Sequence, residues 1–167
     1  MNFEVAIEYL REAEDRLNDA YTLYKANSAK GAVVNSYYTA FNAISAVYLL
    51  DHDNLFTDHS QLIGVFNKKY IYQEKAFEYE ISKTINTLYS IRISADYLNK
   101  RKKPITLEQA YESISNAETV LNDVKDYITD RAKTLSISDY KNRINNWKNS
   151  ISVNTVTPTN EKSEKSR

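Results

Sequence analysis

Only four of the 167 residues are glycine or proline, two of each. Sheets need frequent tight turns, and tight turns draw heavily on those two residue types. A chain so poor in both is confined to long helices. One segment adds a second constraint. "AVVNSYYTAFNAISAVYLL", Ala32 to Leu50, runs nineteen residues without a charged side chain, which is the length of a membrane span. However, Asn35, Thr39 and Asn42 fall on one stripe at helical spacing, with Ser36 and Ser45 beside it. Lipid would penalise that stripe, whereas the central helix of a bundle, apolar nearly all round, accommodates it.

The rest of the chain supplies partners for such a helix. Phe3, Ile7, Leu10, Leu17, Tyr21 and Tyr24 predict a first helix from Phe3 to about Asn27, ended by "NSAKG". The second runs from about Ser28 to Leu50. Asp58 followed by Gln61 reads as an N-cap with a reciprocal partner. It opens a short helix with Leu62, Ile63, Phe66 and Tyr70 inward. Glu74 to Leu98 is the next helix, with a core stripe of Phe77, Ile81, Ile85, Leu88, Ala95 and Leu98. Cations and Pro104 end it. Thr106 and Gln109 form a second capping pair, and a helix to about Ala132 turns Ala110, Ile114, Ala117, Leu121, Val124 and Ile128 inward.

Beyond Lys133 the composition shifts. Tyr140, Ile144, Trp147 and Ile151 lie at i, i+4, i+7 and i+11. They predict a further amphipathic helix, whose Tyr140, Ile144 and Trp147 are candidates for partner binding. After Val153 too little apolar surface remains to offset chain entropy, and disorder is expected. The expected architecture is all-α: an up-and-down helical bundle of four long helices and a short one over residues 1–133, an amphipathic C-terminal arm over 134–153, and a disordered tail over 154–167.

Several function classes are disfavoured. Lys plus Arg equal Asp plus Glu at 22 each, so a generally basic nucleic-acid binder is not indicated, although a local patch is compatible. The chain has no cysteine, which excludes disulfides and thiolate metal sites and suits a reducing compartment. The N-terminus lacks a basic segment followed by an apolar run, so a cytoplasmic location is expected. No GxxxxGK[ST], GxGxxG or calcium loop occurs, and His52 and His59 lack zinc-ligand spacing. Neither cofactor nor metal is expected. The 14 tyrosines against five phenylalanines point to many half-buried rings with wet hydroxyls, as at interfaces and grooves.

Three local features carry chemistry. His59, at the start of the short helix, is either a general base or a ring packed over the helix N-terminus. Arg92 and Asp96 stand at i, i+4 with Tyr97 adjacent. Spacing alone favours an ion pair beside a packed ring. The alternative is a phosphate-facing arginine in a cleft, because guanidinium meets phosphate through two parallel donors. Lys100, Arg101, Lys102 and Lys103 either form a solvated loop that complements the helix end or extend a phosphate-binding surface begun at Arg92.

Three stretches, in order and with matching helices, carry a resemblance: "SYYTAFNAISAVYLL" (Ser36 to Leu50), "DHSQLIGVFNKKYI" (Asp58 to Ile71) and "RISADY" (Arg92 to Tyr97). Over roughly residues 3 to 132 the chain resembles the HEPN domain, and within it the small stand-alone prokaryotic branch. That resemblance implies a helical bundle that often dimerises. It implies an RNA- or nucleotide-facing cleft in a toxin–antitoxin or phage-defence pair, with a nucleotidyltransferase partner. In related pairs the partner adenylylates a tyrosine near the arginine motif, and Tyr97 matches by position. Metal-independent endoribonucleases of the family carry Arg followed by four to six residues and His. Here no histidine follows Arg92, Ser36 stands where relatives often carry arginine, and Asn42 where they often carry histidine. Besides the leading reading, two others therefore follow: an RNase with a non-standard site built from Arg92, Asp96 and His59, and a noncatalytic adaptor or dimerisation module. A homodimer or a hetero-oligomer is expected.

Overall fold

The side chain of Asn2 accepts a hydrogen bond from the Val5 amide at 3.3 Å, satisfying one of the donors a helix start leaves free. From it runs α1, Phe3–Lys25. Its end is equally local. Asn27 adopts φ 60°, Ser28 N donates to Leu23 O (2.8 Å) and Asn27 N donates to Tyr24 O (3.0 Å). This pair of closing bonds around a left-handed residue is a Schellman motif, with asparagine in the place glycine usually takes. The computed structural model describes residues 2–96 and 103–153, excepting the side chains of Tyr140, Arg143, Ile144 and residues 147–153. Its further helices are α2 (Ala29–Asp51), α3 (His59–Phe66), a π-helical continuation over Asn67–Gln73, α4 (Tyr79–Asp96) and α5 (Leu107–Val153). No strand occurs among the described residues, so the all-α expectation holds.

Helix α2, which carries the charge-free stretch Ala32 to Leu50, is the central one. Tyr37, Ala40, Ala43, Ile44, Ala46, Val47 and Leu50 are all buried in the main core. Its hydroxyl side chains Ser36, Thr39 and Ser45 are buried too and are satisfied within the helix. Ser36 Oγ donates to Ala32 O (2.8 Å), Thr39 Oγ1 to Asn35 O (3.0 Å) and Ser45 Oγ to Phe41 O (2.7 Å). Back-bonding of this kind removes the penalty of burying a hydroxyl. None of the described helices is long and apolar enough to cross a membrane.

Helix α1 meets this core through small residues. Ala6, Ala13 and Ala20 are each fully buried, seven residues apart, and short side chains allow helix axes to approach closely. The larger residues Phe3, Leu10, Leu17, Tyr21 and Tyr24 pack beside that seam, partly buried. Ile7, expected to face inward, is 43% exposed. The alanine line takes the innermost face and displaces its neighbour to the flank. The inward residues expected for α3, α4 and α5 are buried wherever they are described; Leu98 lies outside the described residues.

Two boundaries differ from expectation. α4 begins at Tyr79 rather than Glu74, because the chain after α3 continues as a π-helix and closes through Lys75 at φ 50°. Phe77 precedes the helix but is still buried, against Phe66 (5.3 Å) and Tyr127 (5.0 Å). In the π segment, Lys69 and Tyr70 both reach Asp51 at the end of α2, at 2.9 and 3.1 Å. The expected break after Ala132 is absent, and α5 is assigned as one helix to Val153. No glycine or proline lies within it, so nothing removes a ladder bond there. The described residues divide into two units, one ending at Ile128 and the other beginning at Thr129. Everything described below belongs to the first.

Gly64 in α3 has open space where a Cβ would stand, and its φ is ordinary. Gly64→Ala should therefore stabilise the protein by about 0.5–1 kcal/mol. Urea unfolding followed by circular dichroism checks this; a loss of stability would mean that α3 needs the glycine.

Candidate functional site around Tyr37 and Tyr38

Consecutive residues on a helix point about a hundred degrees apart, and α2 uses this at its tyrosine pair. Tyr37 is buried (1% exposed) while Tyr38 is half-buried. The rings meet edge to face, 5.3 Å apart. Asp58 caps α3 by accepting from the amides of Ser60 (2.8 Å) and Gln61 (3.2 Å). That cap fixes the first helical residue, His59, against the pair. Its ring stacks on Phe41 (4.0 Å between centroids), lies 5.8 Å from Tyr37 and meets Tyr38 edge-on at 5.9 Å. Its Nδ1 is 2.8 Å from the Tyr37 hydroxyl oxygen.

Helix α4 brings Arg92 to the same two rings. The guanidinium carbon lies 5.5 Å from the Tyr37 centroid and 5.7 Å from that of Tyr38, within cation–π range of both. Nη2 donates a long hydrogen bond, 3.4 Å, to the Tyr38 hydroxyl. Nε lies 2.7 Å from Asp96 Oδ2, yet this buried donor makes no hydrogen bond. The distance and the missing bond are reconciled if the N–H is misdirected, which leaves a Coulombic contact. Arg92 and Asp96, with side chains 24% and 38% exposed, thus form an ion pair and also a partly desolvated site wall.

These surroundings set the protonation states. Burial raises the pKa of the Tyr37 phenol, and the Arg92 charge only partly opposes that, so it stays protonated. Burial, then the Arg92 charge, lowers the His59 pKa, against a smaller pull from Asp58. With phenol protonated and imidazole neutral, the consistent arrangement has the Tyr37 O–H donating to Nδ1 and the proton of His59 on Nε2.

A stability consequence follows. Unfolded His59 titrates near 6.5, and in the folded chain it titrates lower. Between these values the unfolded state binds more protons, so this component of stability is present above pH 6.5 and is lost as pH falls through the folded pKa. His59→Phe keeps a stacking ring and removes the titration. Melting temperature should therefore fall less between pH 7 and pH 5 in His59→Phe than in wild type. Parallel pH profiles would contradict the assignment.

Of the residues predicted from sequence, Arg92, Asp96 and His59 assemble around one tyrosine pair. Lys103 instead lines a hollow with Ser90, Ile91, Ser94, Ile105 and Gln109, to which neither Arg92 nor Tyr38 contributes. Tyr97, Lys100, Arg101 and Lys102 lie outside the described residues, as do the side chains of Tyr140, Ile144 and Trp147. His52 stacks on Tyr48 at 4.0 Å and sits 2.9 Å from the Tyr48 carbonyl oxygen, a local packing arrangement. No group of three metal-ligating side chains occurs among the described residues. Tyr37, Tyr38 and Phe41 were not singled out as site residues in the sequence. The available signal was two adjacent tyrosines within the charge-free stretch of α2. Arg16 of α1 was missed as well: its guanidinium carbon lies 5.8 Å from the Tyr38 centroid, a contact no local pattern announces.

Comparison with known proteins shows the family. Over 95 residues the chain is 34% identical to a UPF0332 protein of Thermotoga maritima, covering 56% of this chain and 70% of that relative. The HEPN domain family model matches residues 6–127, which include the tyrosine pair, His59, Arg92 and Asp96. The chain belongs to the HEPN domain family.

Proposed function

We propose that the protein binds RNA, or a nucleotide, through its phosphate at the face formed by Tyr38 and Arg92. We further propose that it acts in the cytoplasm as one member of a toxin–antitoxin or phage-defence pair with a nucleotidyltransferase-type partner. The observation that carries the reading is the Arg92 guanidinium, partly desolvated on two tyrosine rings and hydrogen-bonded to the Tyr38 hydroxyl. Guanidinium is weakly hydrated and its planar fork matches phosphate. Asp96 holds the fork from the Nε side. Lys100, Arg101, Lys102 and Lys103 are the candidates for a wider phosphate-binding surface, Tyr97 is the candidate for modification by the partner, and Tyr140, Ile144 and Trp147 are the candidates for contacting it. Assembly is a homodimer or a hetero-oligomer.

A second reading, a metal-independent endoribonuclease with a non-standard site, is favoured by one observation. His59 and Arg92 are 33 positions apart in sequence, yet they contact the same tyrosine pair. In that chemistry His59 takes its other tautomer, donating Nδ1–H to the Tyr37 oxygen, so that Nε2 is free to accept the 2′-hydroxyl proton, and Arg92 stabilises the charge that builds on the phosphate.

The test compares growth inhibition or phage protection by wild type, Arg92→Ala and Arg92→Lys, together with binding and cleavage of a labelled single-stranded RNA. A phosphate role predicts loss in both variants, because lysine keeps the charge but not the fork. Cleavage that also disappears in His59→Phe selects the nuclease. Folded Arg92 variants with full activity would overturn the proposal.

A further inference from the structure

Tyr38 carries two arginines. Arg92 approaches from α4, and Arg16 from α1. Their guanidinium carbons lie 5.7 and 5.8 Å from the same ring centroid, so they are separated by no more than those two distances laid end to end. Each is held in a similar way. Arg16 Nε bonds Glu12 on its own helix at 2.9 Å, as Arg92 Nε lies against Asp96 on α4. A guanidinium has five donor hydrogens. The two carboxylates engage the Nε sides, and the contacts of the terminal nitrogens are weak. Arg16 Nη1 reaches Asn35 Oδ1 at 3.5 Å, and Arg92 Nη2 reaches Tyr38 at 3.4 Å. Bonds that long give way at little cost when a stronger acceptor arrives. Asn35 is itself anchored, donating to Gly31 O at 3.0 Å, so Arg16 is positioned from two sides while its own side chain stays 42% exposed.

We infer that Arg16 is a second phosphate-binding residue: Arg92 and Arg16, on a shared tyrosine, take adjacent phosphates of one RNA strand. This rests on the phosphate-binding reading of Arg92 and adds what kind of ligand the site takes, a polynucleotide backbone in preference to a mononucleotide. The two guanidiniums belong to different helices and meet only at Tyr38, so a ligand with one phosphate engages one of them, while a strand engages both.

The experiment uses the full chain with two probes, a labelled oligouridylate and adenosine 5′-monophosphate. Binding is measured over a series of salt concentrations for wild type, Arg16→Gln, Arg92→Gln and Glu12→Gln, with folding checked by circular dichroism. Arg16→Gln should weaken the oligouridylate about tenfold and flatten the slope of log K against log salt by about 0.7, the value for one phosphate contact on a single strand. It should leave the monophosphate within about twofold. Arg92→Gln should weaken both probes. Glu12→Gln, which frees Arg16 of its competing carboxylate, should tighten the oligouridylate alone. Folded Arg16→Gln with unchanged oligouridylate binding, beside an Arg92→Gln defect, overturns this inference and leaves the Arg92 reading standing. Equal loss for both probes in Arg16→Gln also overturns it, since both arginines would then hold a single phosphate. Wild type that binds neither probe overturns both readings.

Discussion

Phe66→Ala should lower unfolding free energy by about 3–5 kcal/mol, a large part of the roughly 5–15 kcal/mol that holds a domain folded. Phe66 is fully buried at the end of α3, where the chain passes into the π-helix. Its ring lies 5.4 Å from Tyr70 and 5.3 Å from Phe77. Removing it takes away the transfer energy of the ring and leaves a cavity that two other rings, both pinned, cannot close. Tyr70 is pinned by its hydrogen bond to Asp51 (3.1 Å), and Phe77 by Tyr127. Phe66→Leu fills most of the space and should cost much less. Urea denaturation of both variants, read by circular dichroism, decides. A cost below about 1 kcal/mol for alanine would show that the α3 end is not part of the cooperative core.

The second large effect falls on Tyr37, which serves packing and site together. Tyr37→Ala should cost a similar 3–5 kcal/mol, and under the proposed function it should also remove RNA binding in protein that remains folded. The ring is the surface on which Arg92 lies and against which His59 packs. Tyr37→Phe separates the two roles. It retains the platform and removes only the hydroxyl, leaving Nδ1 of His59 without its partner, at a cost of about 1–3 kcal/mol for a buried group. RNA affinity should stay within about threefold of wild type, while the His59 ring titration, followed by NMR, should move. If Tyr37→Phe lost binding as completely as Tyr37→Ala, the hydroxyl rather than the ring would be the functional element.

The fold was legible wherever periodicity and breakers carry it. Ile114, Leu121 and Ile128 could be assigned to the core because a helix buries positions at its own period, whatever its neighbours are. Ile7 could not, because which of two adjacent stripes faces inward depended on how closely α2 approaches, and alanine carries no strong signal of burial. The π-helix over Asn67–Gln73 was hidden for a related reason. Its residues are ordinary helix formers, and their shared contact at Asp51 is distant in sequence. In the site, Arg92 and Asp96 were readable because they sit one turn apart. The convergence of Arg16, Tyr38, His59 and Arg92 was not, because it needs four helices in register.

The alanine seam of α1 has a consequence for mutational tolerance. Large apolar residues in a core accept one another fairly freely, since volume can be redistributed. A fully buried alanine at a close helix crossing has no such freedom, and any larger side chain forces the axes apart, at about 1–3 kcal/mol. A saturation scan of α1 should therefore show a beat of intolerance every seven residues, at Ala6, Ala13 and Ala20, while Ile7 accepts polar replacements. Sequences drifting apart under selection for this bundle would keep their smallest residues on α1 longer than their largest.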